Sequence, residues 1–214
     1  QVQASTAGEN LFGESYTTVS TTIYTYKTTT HPDFAEKMYV EPILMTLYGA
    51  IASAKTMSLT EGKDIWGAEY TTTSTTYYTK IEHNRPLQTQ VHAKTTGLNL
   101  FGESYTTTSD TYYKYTTKIG TQADGIFKGR TIYAVIDNSL TKNPRTGKLT
   151  LKTYTVSATA GLDIWGAKYT TTSTTTYAME HNRPLQDKVA AYTIGKNLFG
   201  ERYTTTSATT YGYK

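Results

Sequence analysis

Gly62-Lys63-Asp64-Ile65-Trp66-Gly67-Ala68-Glu69-Tyr70-Thr71-Thr72-Thr73-Ser74-Thr75-Thr76 is the stretch from which the fold of this chain is read. Gly67, directly after the aromatic ring, marks a bulge or turn at which the chain enters a strand. Beyond it, alternation puts Tyr70, Thr72, Ser74, Thr76 and Tyr78 on one face and Thr71, Thr73, Thr75 and Tyr77 on the other. β-Branched and aromatic side chains suit a pleated, half-buried surface, so the stretch reads as turn followed by strand.

The same unit returns along the chain. A second Trp-type copy spans Gly161 to Thr175, at a step of 99 positions, and a sister Phe-type motif, Gly-x-Asn-Leu-Phe-Gly-Glu-x-Tyr-Thr-Thr, occupies Gly8 to Thr18, Gly97 to Thr107 and Gly195 to Thr205. The order is Phe, Trp, Phe, Trp, Phe, two pairs and an unpaired half. A chain that begins and ends on the same half-unit can be continued by another copy of itself, which points to assembly. The second Phe-type interval is longer than the first by nine residues, and Asn143-Pro144-Arg145-Thr146-Gly147 offers a turn to hold them. It lies between two apolar strands, Arg130 to Ile136 and Lys148 to Val156.

Composition agrees. Thr makes up roughly a fifth of the 214 residues and Tyr contributes 20, while hydrophobic residues are 37% and charged residues 18%. We therefore expect an all-β protein of tandem immunoglobulin-like antiparallel β-sandwich domains: repeat 1 over residues 1–96, repeat 2 over 97–194, and an orphan half-repeat over 195–214. The only helical turn expected is at Pro32 to Met38. Val19 and Ile23 mark the second strand face as the core side. The pairs Leu11-Phe12, Ile65-Trp66, Leu100-Phe101, Ile164-Trp165 and Leu198-Phe199 are expected as buried anchors, since an aromatic ring buries roughly 150–250 Å². The anchoring set is Phe12, Trp66, Phe101 and Trp165 with the turn glycines Gly13, Gly67, Gly102, Gly166 and Gly200.

Several chemistries are disfavoured. There is no cysteine, hence no disulfide or thiolate metal site. The four histidines, His31, His83, His92 and His181, show no metal-ligand spacing. No nucleophile elbow, phosphate loop or dinucleotide fingerprint occurs, and we expect neither enzyme nor cofactor. Asp64 and Asp163 exchange with Asn10, Asn99 and Asn197 at matched turns, so these side chains hydrogen-bond the backbone and do not transfer protons. The repeated Glu-His-Asn-Arg-Pro-Leu-Gln segments, from Glu82 and from Glu180, read as turns. A net charge of +4 without a basic stripe argues against nucleic acid. The longest charge-free stretch, Pro42 to Ala54, is too short to span a bilayer. An opening at Gln1 without Met suggests an exported chain.

Matched tyrosines flank the Thr core of every strand, which suits interfaces or sugar surfaces. The Thr runs are compatible with strand-pairing ladders, with O-linked glycans, and less well with an ice lattice. We expect a structural subunit of an extracellular or cell-surface filament, a homopolymer assembled head to tail by β-strand addition. Its assembly interface would draw on Gln1, Val2, Gln3, Leu198, Phe199, Tyr203, Tyr211 and Tyr213, and the donor strand is Gln1 to Thr6 or Tyr203 to Tyr213. The alternative is a tandem carbohydrate-binding or adhesive module, which exposed Trp66 and Trp165 would favour, whereas buried ones would favour the filament; a phage or capsid surface protein is a third possibility.

Overall fold

A computed structural model of the chain describes residues 1–9, 13–26, 51–82, 85–119, 121, 128–129, 131–137, 140–142, 149–151, 153–180 and 183–213. They form β1 (Val2–Glu9), β2 (Ser15–Tyr26), β3 (Ile51–Lys63), β4 (Glu69–Tyr78), β5 (Lys80–Glu82), β6 (Arg85–Leu87), β7 (Gln90–Leu98) and β8 (Ser104–Tyr112). There follow β9 (Tyr115–Ile119), β10 (Thr131–Ile136), β11 (Leu140–Lys142), β12 (Leu149–Leu151), β13 (Tyr154–Leu162), β14 (Lys168–Glu180), β15 (Arg183–Lys196) and β16 (Arg202–Thr210). The expected helical turn at Pro32 to Met38 and the turn at Asn143 to Gly147 lie outside the described residues.

Ten of these strands make one antiparallel sheet in the order β1-β2-β3-β4-β7-β8-β13-β14-β15-β16. Short two-stranded ladders, β9 with β10, β11 with β12 and β5 with β6, are separate from its strand order. The all-β expectation thus holds, and the described strands form one large antiparallel sheet. The limits read from the repeats, Thr96 and Ile194, fall inside β7 and β15, and the sheet runs straight through both. β11 and β12 pair with each other across the expected turn, whereas β10 pairs with β9.

The reason is visible in the register. Paired residues share a face, and on one face each rung repeats a single residue class. Thr6, Thr18, Thr60, Thr72, Thr95, Thr107, Thr159, Thr171, Thr193 and Thr205 form one unbroken rung across all ten strands. The next rung towards the hairpin turns alternates glycine and tyrosine: Gly8, Tyr16, Gly62, Tyr70, Gly97, Tyr105, Gly161, Tyr169, Gly195 and Tyr203. On the other side of the Thr rung only Ser and Ala occur, from Ala4 through Ser58, Ser74 and Ala93 to Ser207. Apart from the tyrosine rings and Val2, Val91 and Val189, such a face is built of small side chains and offers little to bury beneath a second layer.

Hydroxyls hold the threonine rung together in pairs: Thr18 with Thr60, Thr72 with Thr95, Thr107 with Thr159 and Thr171 with Thr193, at 2.8–2.9 Å. Each pair joins one hairpin to the next. Within a hairpin the tyrosine does the work. A Cβ built on Gly8, Gly62, Gly97, Gly161 or Gly195 would overlap the ring of Tyr16, Tyr70, Tyr105, Tyr169 or Tyr203, which lies across the bare backbone of its partner strand. An aromatic ring covering a cross-strand glycine removes that backbone from water and restores packing that glycine lacks.

The opposite face carries the larger apolar side chains, and they are uncovered. Val19, Ile23, Met57 and Leu59 are each exposed, so the face expected to be the core side is not packed. Among the described residues the buried apolar set is Ala54 and Val135, and the buried polar one is Thr153, whose hydroxyl donates to the Asp137 carbonyl at 3.0 Å. The chain exposes 15,228 Å², against about 9,900 Å² for a compact monomer of its mass. Cross-strand pairs worth about 0.2–1 kcal/mol each therefore take on the stabilisation that a core usually provides.

This account predicts that Gly97→Ala and Tyr105→Ala are coupled. Each alone destabilises, while the double variant costs less than their sum by about 0.5–1 kcal/mol, read from urea unfolding of the four proteins. Strict additivity would mean that the ring does not need the glycine.

Candidate functional site

Five hairpins turn at the same end of the sheet, since successive pairs of an antiparallel meander all close there. Their turn glycines, Gly13, Gly67, Gly102, Gly166 and Gly200, adopt φ of 81–86°. In the Trp-type turn, Asp64 N–H donates to the Ala68 carbonyl at 2.9 Å and Gly67 N–H to the Asp64 carbonyl at 3.0 Å. This is a three-residue hairpin loop in which a glycine in the left-handed region forms the bulge. Asp163 repeats the arrangement with Ala167 and Gly166.

The first turn residue locks the loop. Asp64 Oδ1 accepts from the N–H groups of Trp66 and Ala68 at 2.8 and 2.9 Å, and Asp163 does the same for Trp165 and Ala167. Asn99 Oδ1 accepts from Phe101 and Glu103, and its Nδ2 donates to the Glu103 carboxylate. Asn197 Nδ2 donates to Glu201 at 2.6 Å. Here the sequence contains a rule that only the geometry explains. Asn, which has a donor, is followed four residues on by Glu, and Asp, which has none, is followed by Ala. A carboxylate at both places would leave two like charges in contact. Asn99→Asp is accordingly expected to cost about 1 kcal/mol at pH 7. Glu103→Ala in that background should recover most of the loss in thermal or urea unfolding; no rescue would contradict the pairing.

Locked in this way, the apolar pairs expected as buried anchors project from the tips. Trp66 is 71% exposed, Phe101 77%, Trp165 68% and Phe199 89%, and Ile65, Leu100, Ile164 and Leu198 beside them are exposed as well. The pair falls in the loop, beyond the end of both strands, where one layer offers nothing to bury it. Phe12 lies outside the described residues. Over the four described tips the result is an aromatic crest with one ring for every two strands, a step of about 9.6 Å.

The residues read from sequence as an assembly interface divide into three places. Gln1 precedes β1, and Val2 and Gln3 lie in it. Leu198 and Phe199 are at the last hairpin tip, and Tyr203 is in β16 with its ring over Gly195. Tyr211 and Tyr213 turn back on their own chain: Tyr211 N–H donates to the Asp187 carbonyl at 2.9 Å, and the Tyr213 hydroxyl donates to the Gln186 carbonyl at 2.7 Å.

β1 and β16 are the two edges of the sheet. Every residue of β16 is exposed, as is all of β1 except Gly8. Asn197 N–H bonds the Glu201 carbonyl across the last hairpin. Bonded and non-bonded pairs alternate along antiparallel strands, so Gly195 with Tyr203 and Thr193 with Thr205 are bonded pairs. The backbone N–H and C=O groups of Arg202, Thr204, Thr206 and Ala208 therefore point away from β15. The same alternation, carried from the β3/β4 turn back through β2, leaves those of Gln3, Ser5, Ala7 and Glu9 pointing outward from β1.

Two kinds of concavity complete the surface. Grooves of about 360 and 350 Å³ lie between Tyr16 and Tyr70, floored by Gly62, and between Tyr105 and Tyr169, floored by Gly161. At the opposite end of the sheet a cleft of about 490 Å³ is lined by Tyr77, Tyr112, Tyr113 and Tyr115 with Lys80 and Lys114. Burial first, then the neighbouring Tyr113 and Tyr78, push the Tyr115 phenol up to about 12. It remains a protonated donor near neutral pH. Lys80 lies 5.9 Å from the Tyr115 ring centroid, donates to the Tyr115 carbonyl at 3.2 Å and pairs with Glu82 at 3.3 Å. The described parts of the two Glu-His-Asn-Arg-Pro-Leu-Gln segments are hairpin strands, with Glu82 opposite Arg85 and Glu180 opposite Arg183. Among the described residues no cluster of three or more His, Asp or Glu could hold a metal, and no helix is long and apolar enough to cross a membrane.

Compared with protein-family models, with curated proteins and with solved structures, the chain matches none of them.

Proposed function

We propose that this chain is a structural subunit of an extracellular or cell-surface filament, assembled head to tail by β-strand addition. The observation that carries the reading is the pair of open, exposed edges on a ten-stranded sheet. An exposed edge is a row of unsatisfied donors and acceptors, and natural sheets blunt it with proline, charge or cover because it templates further pairing. Here the outward positions of β16 from Thr204 to Ala208, and of β1 from Gln3 to Ala7, carry neither proline nor charge. The two edge strands run antiparallel to each other, since an even number of strands separates them in the alternating meander. A second copy translated along the sheet thus continues the alternation.

Proline at an outward position removes a donor that the isolated chain does not use. Ser5→Pro and Thr206→Pro are expected to leave the unfolding midpoint of the subunit nearly unchanged. Each should abolish the fibres that the parent chain forms in negative-stain microscopy across a concentration series. Monodisperse single particles from the parent chain at every concentration would overturn the reading.

The tandem carbohydrate-binding or adhesive module is kept as a second reading because Trp66 and Trp165 are exposed and the tyrosine-walled grooves repeat along the same face. Aromatic faces at regular steps suit stacking against sugar rings. Trp66→Ala with Trp165→Ala should then abolish retention on a polysaccharide array; equal retention by parent and variant would remove the tryptophans from that role.

A further inference from the structure

We infer that the junction between copies is β16 of one chain against β1 of the next, antiparallel, with Tyr203 opposite Gly8. This rests on the strand-addition reading and adds to it the identity of the two strands and their register.

Internal interfaces supply the template. Where β4 meets β7, the rungs on the threonine face read Tyr70 opposite Gly97, Thr72 opposite Thr95, Ser74 opposite Ala93 and Thr76 opposite Val91. Where β14 meets β15 they read Tyr169 with Gly195, Thr171 with Thr193, Ser173 with Ala191 and Thr175 with Val189. Placing β1 of the next copy beside β16 gives Tyr203 with Gly8, Thr205 with Thr6, Ser207 with Ala4 and Thr209 with Val2. The four rungs are the same four residue pairs. β1, β7 and β15 share the pattern Val-x-Ala-x-Thr-x-Gly, and in β7 and β15 that pattern is met on its outer side by a Tyr-x-Thr-x-Ser-x-Thr strand. In β1 that side is the open one.

Three further details fit this register. Thr6 and Thr205 are the two members of the ten-residue threonine rung that no neighbouring hairpin partners, and the junction pairs them as Thr72 pairs with Thr95 at 2.9 Å. Arg202 falls directly opposite Glu9, an opposite-charge cross-strand pair. The backbone groups that face outward, those of Arg202, Thr204, Thr206 and Ala208, meet those of Glu9, Ala7, Ser5 and Gln3 as bonded pairs. A slip of one residue reverses the faces, and a slip of two places Arg202 opposite Ala7 and Thr205 opposite Ala4, losing the charge pair and the threonine pair together.

Because the parent chain has no cysteine, disulfide trapping reads the junction directly. Within one chain, positions 6 and 205 stand at opposite edges, about 43 Å apart at nine interstrand spacings, so any bond between them joins two copies. Non-bonded antiparallel pairs bring Cα atoms to about 4.5 Å, within disulfide range. Thr6→Cys with Thr205→Cys, and independently Ala4→Cys with Ser207→Cys, are expected to give a ladder of covalent multimers on mild oxidation of the assembled protein. Ala4→Cys with Thr205→Cys, the slipped pair, should give at least tenfold less. Arg202→Glu should raise the concentration needed for assembly several-fold, and Glu9→Arg in the same chain should restore it. Dimers from Thr205→Cys alone, or a ladder from the slipped pair, would overturn this junction while leaving strand addition standing. A parent chain that stays monomeric at all concentrations and an uncrosslinked Thr6→Cys/Thr205→Cys protein would overturn both.

Discussion

Between neighbouring strands of this sheet the side chains that meet are threonine on threonine, serine on serine or alanine, and tyrosine on glycine, and these pairs take the place of a core. Each is small or self-satisfying. Threonine hydroxyls bond to one another from hairpin to hairpin, and tyrosine rings close over glycine backbone within each hairpin. Stability of this kind scales with the number of strands joined, because every added strand completes another set of rungs. A fold so built has no inherent size limit. It ends where its edges end, and the edge backbone groups are then the least satisfied part of the molecule.

The proposed function rests on the same constraint. A domain stabilised by a closed core presents a finished surface, whereas a sheet stabilised strand by strand presents at each edge the half-interface that it uses internally. The junction proposed between β16 and β1 needs no new chemistry; it is the β4 to β7 interface used between chains. The crest of Trp66, Phe101, Trp165 and Phe199 stays outside that junction, at the hairpin end of every copy. A continuous assembly would carry those rings as a periodic line, which makes the adhesive reading compatible with the structural one.

Much of this was legible in the sequence, and the remainder was hidden for identifiable reasons. Alternation correctly put Tyr70, Thr72, Ser74 and Thr76 on one face, because the period of a strand is two regardless of its neighbours. The glycines after Phe and Trp were readable as turns, because few other residues accept their dihedral angles. The number of layers was not readable. With threonine on both faces of β4 and β14, no hydrophobic pattern says which side is inside, so a repeat of about 100 residues with five to seven short strands suggested a sandwich by its size and strand pattern. The exposure of Trp66 was missed for a related reason, since an apolar pair signals burial only when something lies above it. The pairing of Asn with Glu and Asp with Ala in the turns was present in the letters, and it became a rule only once Asn99 and Glu103 were seen to touch.

The most direct test of the account is fibre diffraction, or helical reconstruction, of the assembled chain. Strand addition through β16 and β1 predicts strands perpendicular to the fibre axis, a reflection near 4.8 Å along that axis, and a subunit repeat of about 48 Å, ten interstrand spacings. Strands lying along the axis, or a subunit repeat unrelated to ten strands, would contradict it.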